Sequence, residues 1–126
     1  MDASNNQLIK LNINNLRELE YLNVSSNQLI KLYLNKLDKL NNLNASYNKL
    51  DTINGHFENL RFLKLSNNVI DILYLENLKL LEILDLRDNI LTDLKLGSTK
   101  DDVYVFLGGN YKLNNFSPRP QYRVIY

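Results

Sequence analysis

The chain has 126 residues, 15 basic against 14 acidic for a formal net charge of +1, and no cysteine. That length suits one domain with a single continuous core, the near-cancelled charge argues against a nucleic-acid partner, and the missing cysteines rule out a disulfide framework or a thiolate metal site. Asparagine fills 21 positions, a bias often seen in disordered or aggregating sequences, but here it alternates with leucine at fixed spacing.

The order shows from the first residues. "MDASNNQL" (1–8) is a formula cut off at its start, and "LEYLNVSSNQL" (19–29), "LNNLNASYNKL" (40–50), "LRFLKLSNNVI" (60–70) and "LEILDLRDNIL" (81–91) give it whole as L-x-x-L-x-L-x-x-N-x-L with conservative swaps. "DVYVFLGGNYKL" (102–113) is a degraded copy. Asn6, Asn27, Asn48, Asn68, Asn89 and Asn110 follow one another at 21, 21, 20, 21 and 21 residues, the signature of a tandem repeat. The expected organisation is therefore a repeat domain over 1–113 and a C-terminal tail or cap over 114–126.

In the L-x-L core of each unit, leucines point inward and the intervening residues outward, which predicts one short strand per repeat. The stretches between also keep phase: Leu11, Leu32, Ile53, Leu73 and Leu94 form one column, and Ile13, Leu34, Leu75 and Leu96 a second. Gly55 interrupts the second column in the one unit that is a residue short, so a local kink is expected around "INGHFEN". About ten residues remain after each asparagine to reach the next strand. A three-turn helix of roughly 11 residues would consume them all, and "KLYL", "ILYL" and "DLKL" alternate with period 2 there.

The motif resembles that of the leucine-rich repeat family, in four full copies and two partial ones. The resemblance and the patterning together imply an α/β solenoid dominated by β. It would be curved and right-handed, with a parallel sheet on the concave face and extended or 3-10 segments on the convex face. A single unit cannot hide its own leucines; stacked units bury them against one another. The recurring asparagine has a structural reading, because its amide carries the donors and acceptor that a buried turn lacks.

Met1 stands in a leucine slot, so the chain is expected to start inside a strand with no cap, as a fragment would, and such an edge invites self-association. No basic region or apolar run after Met1 marks a signal peptide. As given the chain reads as cytoplasmic; within a longer secreted or surface protein it would be extracellular. No stretch approaches the roughly 20 apolar residues of a membrane span, so no membrane insertion is expected. Pro118 and Pro120 oppose a further central strand, and the tail is expected to fold back through Phe116, Tyr122, Val124 and Ile125.

Catalytic residues are not found. The single histidine, His56, lies in the irregular return loop, away from Ser25, Ser46 and Ser66 near the strands, and no second histidine or calcium-loop spacing provides a metal site. "GSTK" (97–100) lacks the upstream glycine and spacing of a phosphate loop, so no cofactor is expected. Asn23, Asn44 and Asn115 satisfy N-x-S, the first two as by-products of the repeat formula, and Pro118 makes the third a poor glycosylation acceptor. The outward strand positions and those flanking them remain: Tyr21, Tyr47, Arg61, Phe62, Lys64, Ile83, Asp85, Arg87, Tyr104 and Phe106 are the expected partner-binding residues. β-Propensity alone would also place aromatics on a pleated surface. Six strands about 4.8 Å apart give a face roughly 24 Å wide, suited to a peptide or a domain edge. The expected function is a non-enzymatic module that binds a protein or peptide on its concave face. The alternative is a fragment or spacer of a larger receptor, surface protein or regulatory scaffold.

Overall fold

The computed structural model describes residues 1–126 and is a parallel-strand β-solenoid. In chain order the strands are β1 (Tyr21–Asn23), β2 (Lys31–Leu34), β3 (Asn42–Asn44), β4 (Thr52–Gly55) and β5 (Phe62–Lys64). They continue as β6 (Ile72–Leu75), β7 (Ile83–Asp85), β8 (Asp93–Leu96), β9 (Val103–Phe106) and β10 (Tyr122–Ile125). There is no α-helix and no 3-10 segment, so the helical half of the expected class has no counterpart. The return stretches are too short for a helix and their period-2 leucines make them strands.

One face is a six-stranded sheet in the order β1-β3-β5-β7-β9-β10. Its register is the repeat itself: Leu22 lies beside Leu43, then Leu63, Leu84 and Val105. All five are fully buried. Strands of three or four residues cannot stand alone, and the sheet is backed by the apolar side chains of the opposite face, Leu32, Ile53, Leu73 and Leu94 among them. Each apolar column is thereby buried between neighbouring coils.

The asparagine column binds the coils to one another. Asn68 Nδ2 donates to the carbonyls of Leu65 and Ser66 in its own coil, at 3.0 and 3.3 Å, and to Ala45 in the coil before, at 3.1 Å. Its Oδ1 accepts the N–H of Leu50 at 2.9 Å. Asn27, Asn48, Asn89 and Asn110 likewise accept from Leu8, Leu29, Ile70 and Leu91. Asn6, in the first coil, bonds only to Ala3 and Ser4 and stays exposed.

The return face is built differently. β2 pairs with β4 and β6 with β8, but no backbone hydrogen bond joins β4 to β6. Gly55 explains the first pairing. It sits beside Leu34, and a β-carbon there would lie 2.6 Å from the Leu34 Cβ, so the missing side chain draws β4 against β2. The lost residue of this repeat falls at His56: Leu34 to Leu37 turns through Lys36 in the left-handed region (φ 64°), whereas Gly55 reaches Phe57 through His56 alone. The irregularity expected around "INGHFEN" thus takes the form of a shortened turn beside a break in the return sheet.

At the ends, Asp2 bridges Asn23 in the same parallel sense, and the N-terminal ammonium donates to the Tyr21 carbonyl at 2.7 Å. The tail rejoins the sheet: after Pro118 and Pro120, β10 pairs parallel to β9 as an edge strand. Tyr122 is buried and stacks on Phe116 with ring centroids 6.5 Å apart, while Asn115 bridges Asp93 on the return face.

Candidate protein-binding face

The solvent side of the six-stranded sheet displays the alternate residues of each strand. Tyr21, Asn42, Phe62, Ile83 and Tyr104 form one lateral row that ends in Arg123 of β10. Tyr21 and Tyr104 are 42 and 43% exposed; Phe62 and Ile83 are half-buried by their neighbours. Asn23, Asn44, Lys64, Asp85, Phe106 and Ile125 make the parallel row two residues on.

That second row is partly structural. Asn23 Oδ1 accepts the N–H of Ser25, Asn44 that of Ser46 and Asp85 that of Arg87, each two residues ahead and 3.1 to 3.2 Å away. Asp2 does the same for Ser4 at 2.9 Å, which holds its carboxyl below the usual value. Such side-chain turns end the strand by satisfying the next free backbone donor. Asp85 is drawn in further than expected: it is 6% exposed, and the exposed Arg87 is bonded to it. Ser46 and Ser66 are also buried, with Ser66 Oγ donating to Ser46 Oγ at 3.1 Å.

Tyr47 stands at the position just before the structural asparagine. Here Asn5, Ser26, Tyr47, Asn67 and Asp88 all have φ between 53 and 56°, and Gly109 has φ 82°. Asn, Asp and Gly tolerate this region best; Ser26 and Tyr47 are the exceptions, and Tyr47 projects 60% exposed.

Three arginines lie over rings of the face. Arg61 is 5.7 Å from the Phe62 centroid, Arg87 5.4 Å from Phe106 and Arg123 5.9 Å from Tyr104. Each is also gripped by a carboxylate. Arg87 Nε and Nη2 donate to the two oxygens of Asp85 at 2.9 and 2.7 Å, Arg61 reaches Glu82 Oε1 at 3.0 and 2.7 Å, and Arg123 reaches Asp102 Oδ1 at 3.1 and 2.7 Å. Hydrogen bonds from Arg61 and Lys100 hold the Glu82 carboxyl below its usual range, and the bond to Asp85 makes Arg87 a still weaker acid than usual. Lys64 has no ion-pair partner.

The structure therefore gathers Arg61, Phe62, Lys64, Ile83, Arg87, Tyr104 and Phe106 on the C-terminal half of the sheet, with Tyr21 on β1 at the far edge. Sequence reasoning missed Arg123, Glu82, Lys100 and Asp102. The signal for two pairs was present, since Arg61 and Glu82, like Asp102 and Arg123, are 21 residues apart, one repeat. His56 is exposed in the return loop, and no group of three or more His, Cys, Asp or Glu side chains is gathered anywhere in the chain. Comparisons with family models, with curated proteins and with solved structures each return no match.

Proposed function

We propose that this chain is a short-repeat leucine-rich repeat solenoid acting as a non-enzymatic protein-binding module. Its sheet would line the concave side of a right-handed curve and serve as the recognition surface. The curvature rests on the contrast between faces: strands pair continuously across the sheet but only two by two on the return side, as expected where coils are splayed. The observation that carries the binding role is the set of three arginines, each fixed by a carboxylate and laid over an aromatic ring. Interface energy concentrates in aromatic and arginine anchors of this kind, and a side chain already held in place loses less entropy on binding.

The test is an affinity capture with the intact chain, read by mass spectrometry, run beside a Phe62→Ala, Tyr104→Ala double variant. Proteins retained by the parent and by a Tyr74→Ala control on the return face, but lost with the double variant, support the proposal. Equal recovery on all three proteins would place recognition elsewhere. A hydrolase activity abolished by His56→Ala would overturn the non-enzymatic reading.

A further inference from the structure

The return face offers a second, independent surface. Residues 9–14 run alongside β2, yet after the Gln28 N–H donates to the Leu8 carbonyl at 2.9 Å no backbone hydrogen bond joins the two segments. Between them lies a groove of about 780 Å³, walled by Ile9, Leu11, Ile30 and Tyr33 and bearing Lys10 and Lys31. Ile9, Ile30 and Tyr33 are 62, 51 and 47% exposed, an unusual density of apolar surface for one site. No carboxylate lines it, and neither lysine has an ion-pair partner.

The backbone of β2 adds a directional feature. The Ile30 carbonyl bonds toward the β4 side, where it accepts the Asp51 N–H. Residues alternate sides along a parallel strand, so the N–H and C=O of Lys31 and Tyr33 face the groove, without a backbone partner. The comparable gap between β4 and β6 holds about 330 Å³ and presents Glu58 and Glu76 instead. Open strand edges therefore recur on this face, but only one combines apolar walls with uncompensated positive charge.

We infer that this groove binds an extended segment of a partner protein, with alternating apolar and acidic side chains, as an added strand on the free edge of β2. A peptide backbone supplies the spaced donors and acceptors that the edge lacks. Its apolar side chains fill the groove between Ile9 and Ile30 and its carboxylates meet Lys10 and Lys31. A fatty acid would satisfy the walls and one lysine but leave the row of backbone groups unpaired.

The experiment uses the full chain and a fluorescein-labelled hexapeptide of alternating valine and glutamate, followed by fluorescence anisotropy and amide exchange. The expected result is saturable binding that protects the amides of Lys31 and Tyr33 while those of Leu32 and Leu34 are unchanged. Lys10→Glu with Lys31→Glu should weaken binding by at least about tenfold, and both side chains are exposed, so the fold should tolerate the change. A valine-lysine peptide, and a valine-glutamate peptide N-methylated at alternate amides, should not bind the parent chain. Absence of binding, indifference to charge, or equal binding of the N-methylated peptide would overturn the inference. So would protection of the same amides by laurate alone, or by a second copy of the chain as its concentration rises.

Discussion

Gly55 and Leu34 meet at a distance that excludes any side chain on the glycine, since a β-carbon there would fall 2.6 Å from that of Leu34. The repeat pattern asks for leucine at position 55, yet the structure has no room for even a methyl group. Gly55→Ala should therefore push β4 off β2 and lower stability by about 1 to 3 kcal/mol. Asn54→Ala, at an exposed neighbour, should change it by no more than about 0.5 kcal/mol. Urea midpoints for the two variants decide the matter, and matching values would show that the close approach does not exist.

The asparagine column is graded by position. Asn68 is 6% exposed and its amide makes four hydrogen bonds, two of them to the preceding coil. Asn68→Ala leaves buried carbonyls and the Leu50 N–H without partners and should cost about 1 to 3 kcal/mol. Asn6 is exposed and bonds only within its own turn, so Asn6→Ala should cost a few tenths of a kcal/mol, roughly the scale of an ordinary surface change. A thermal melt that ranked Asn6→Ala as the more damaging change would contradict the ladder.

Two arginines of the face have unequal structural weight. Removing Arg87 strands the Asp85 carboxylate, 6% exposed, with only the backbone N–H of residue 87 for company. Removing Arg61 leaves Glu82 with Lys100 at 3.0 Å and access to water. Arg87→Ala should be the more destabilising by about 1 to 2 kcal/mol, discounted for the half-exposed guanidinium. Asp85→Asn combined with Arg87→Ala should recover part of that loss, which a denaturation series on the three variants will reveal.

Acid should weaken the Glu82 cluster. The folded carboxyl titrates below its ordinary value because Arg61 and Lys100 donate to it. Its stabilisation is therefore complete above the ordinary carboxylate range and disappears as pH falls through the depressed folded value. Glu82→Gln should flatten this part of the stability profile between neutral and acid pH. Added salt should shrink the difference between the two proteins, because the site is open to solvent. A parent and variant that lose stability in parallel on acidification would rule the linkage out.

Much of this architecture is legible in the sequence because it is local to one repeat. Leu22, Leu43, Leu63 and Leu84 announce a strand register by period alone, and Asn27, Asn48, Asn68, Asn89 and Asn110 mark the turns. What escapes is whatever depends on distance between coils. Nothing in "TINGH" says that β4 will lean on β2 and abandon β6, because that follows from the space a missing β-carbon opens. Asp85 reads as a displayed charge until Arg87 is seen to fold over it. Arg123 escapes for another reason: the tail breaks the motif, and the prolines that exclude a central strand do not prevent an edge strand beginning at Tyr122. The positive φ shared by Asn5, Ser26, Tyr47, Asn67 and Asp88 was partly visible, since four of the five are Asn, Ser or Asp.

The unequal pairing of the two faces also has a mechanical meaning. On the sheet side every coil from β1 to β9 is tied to the next by backbone hydrogen bonds, whereas on the return side the ties are missing between residues 9–14 and β2 and again between β4 and β6. A load that bends the array would be resisted by the continuous ladder of the sheet and take up strain at the untied junctions. Compliance is thus concentrated at these two junctions, one beside Tyr33 and one beside Phe57 and Tyr74, rather than spread along the chain. The two halves of the array can then change their mutual angle without breaking a ladder.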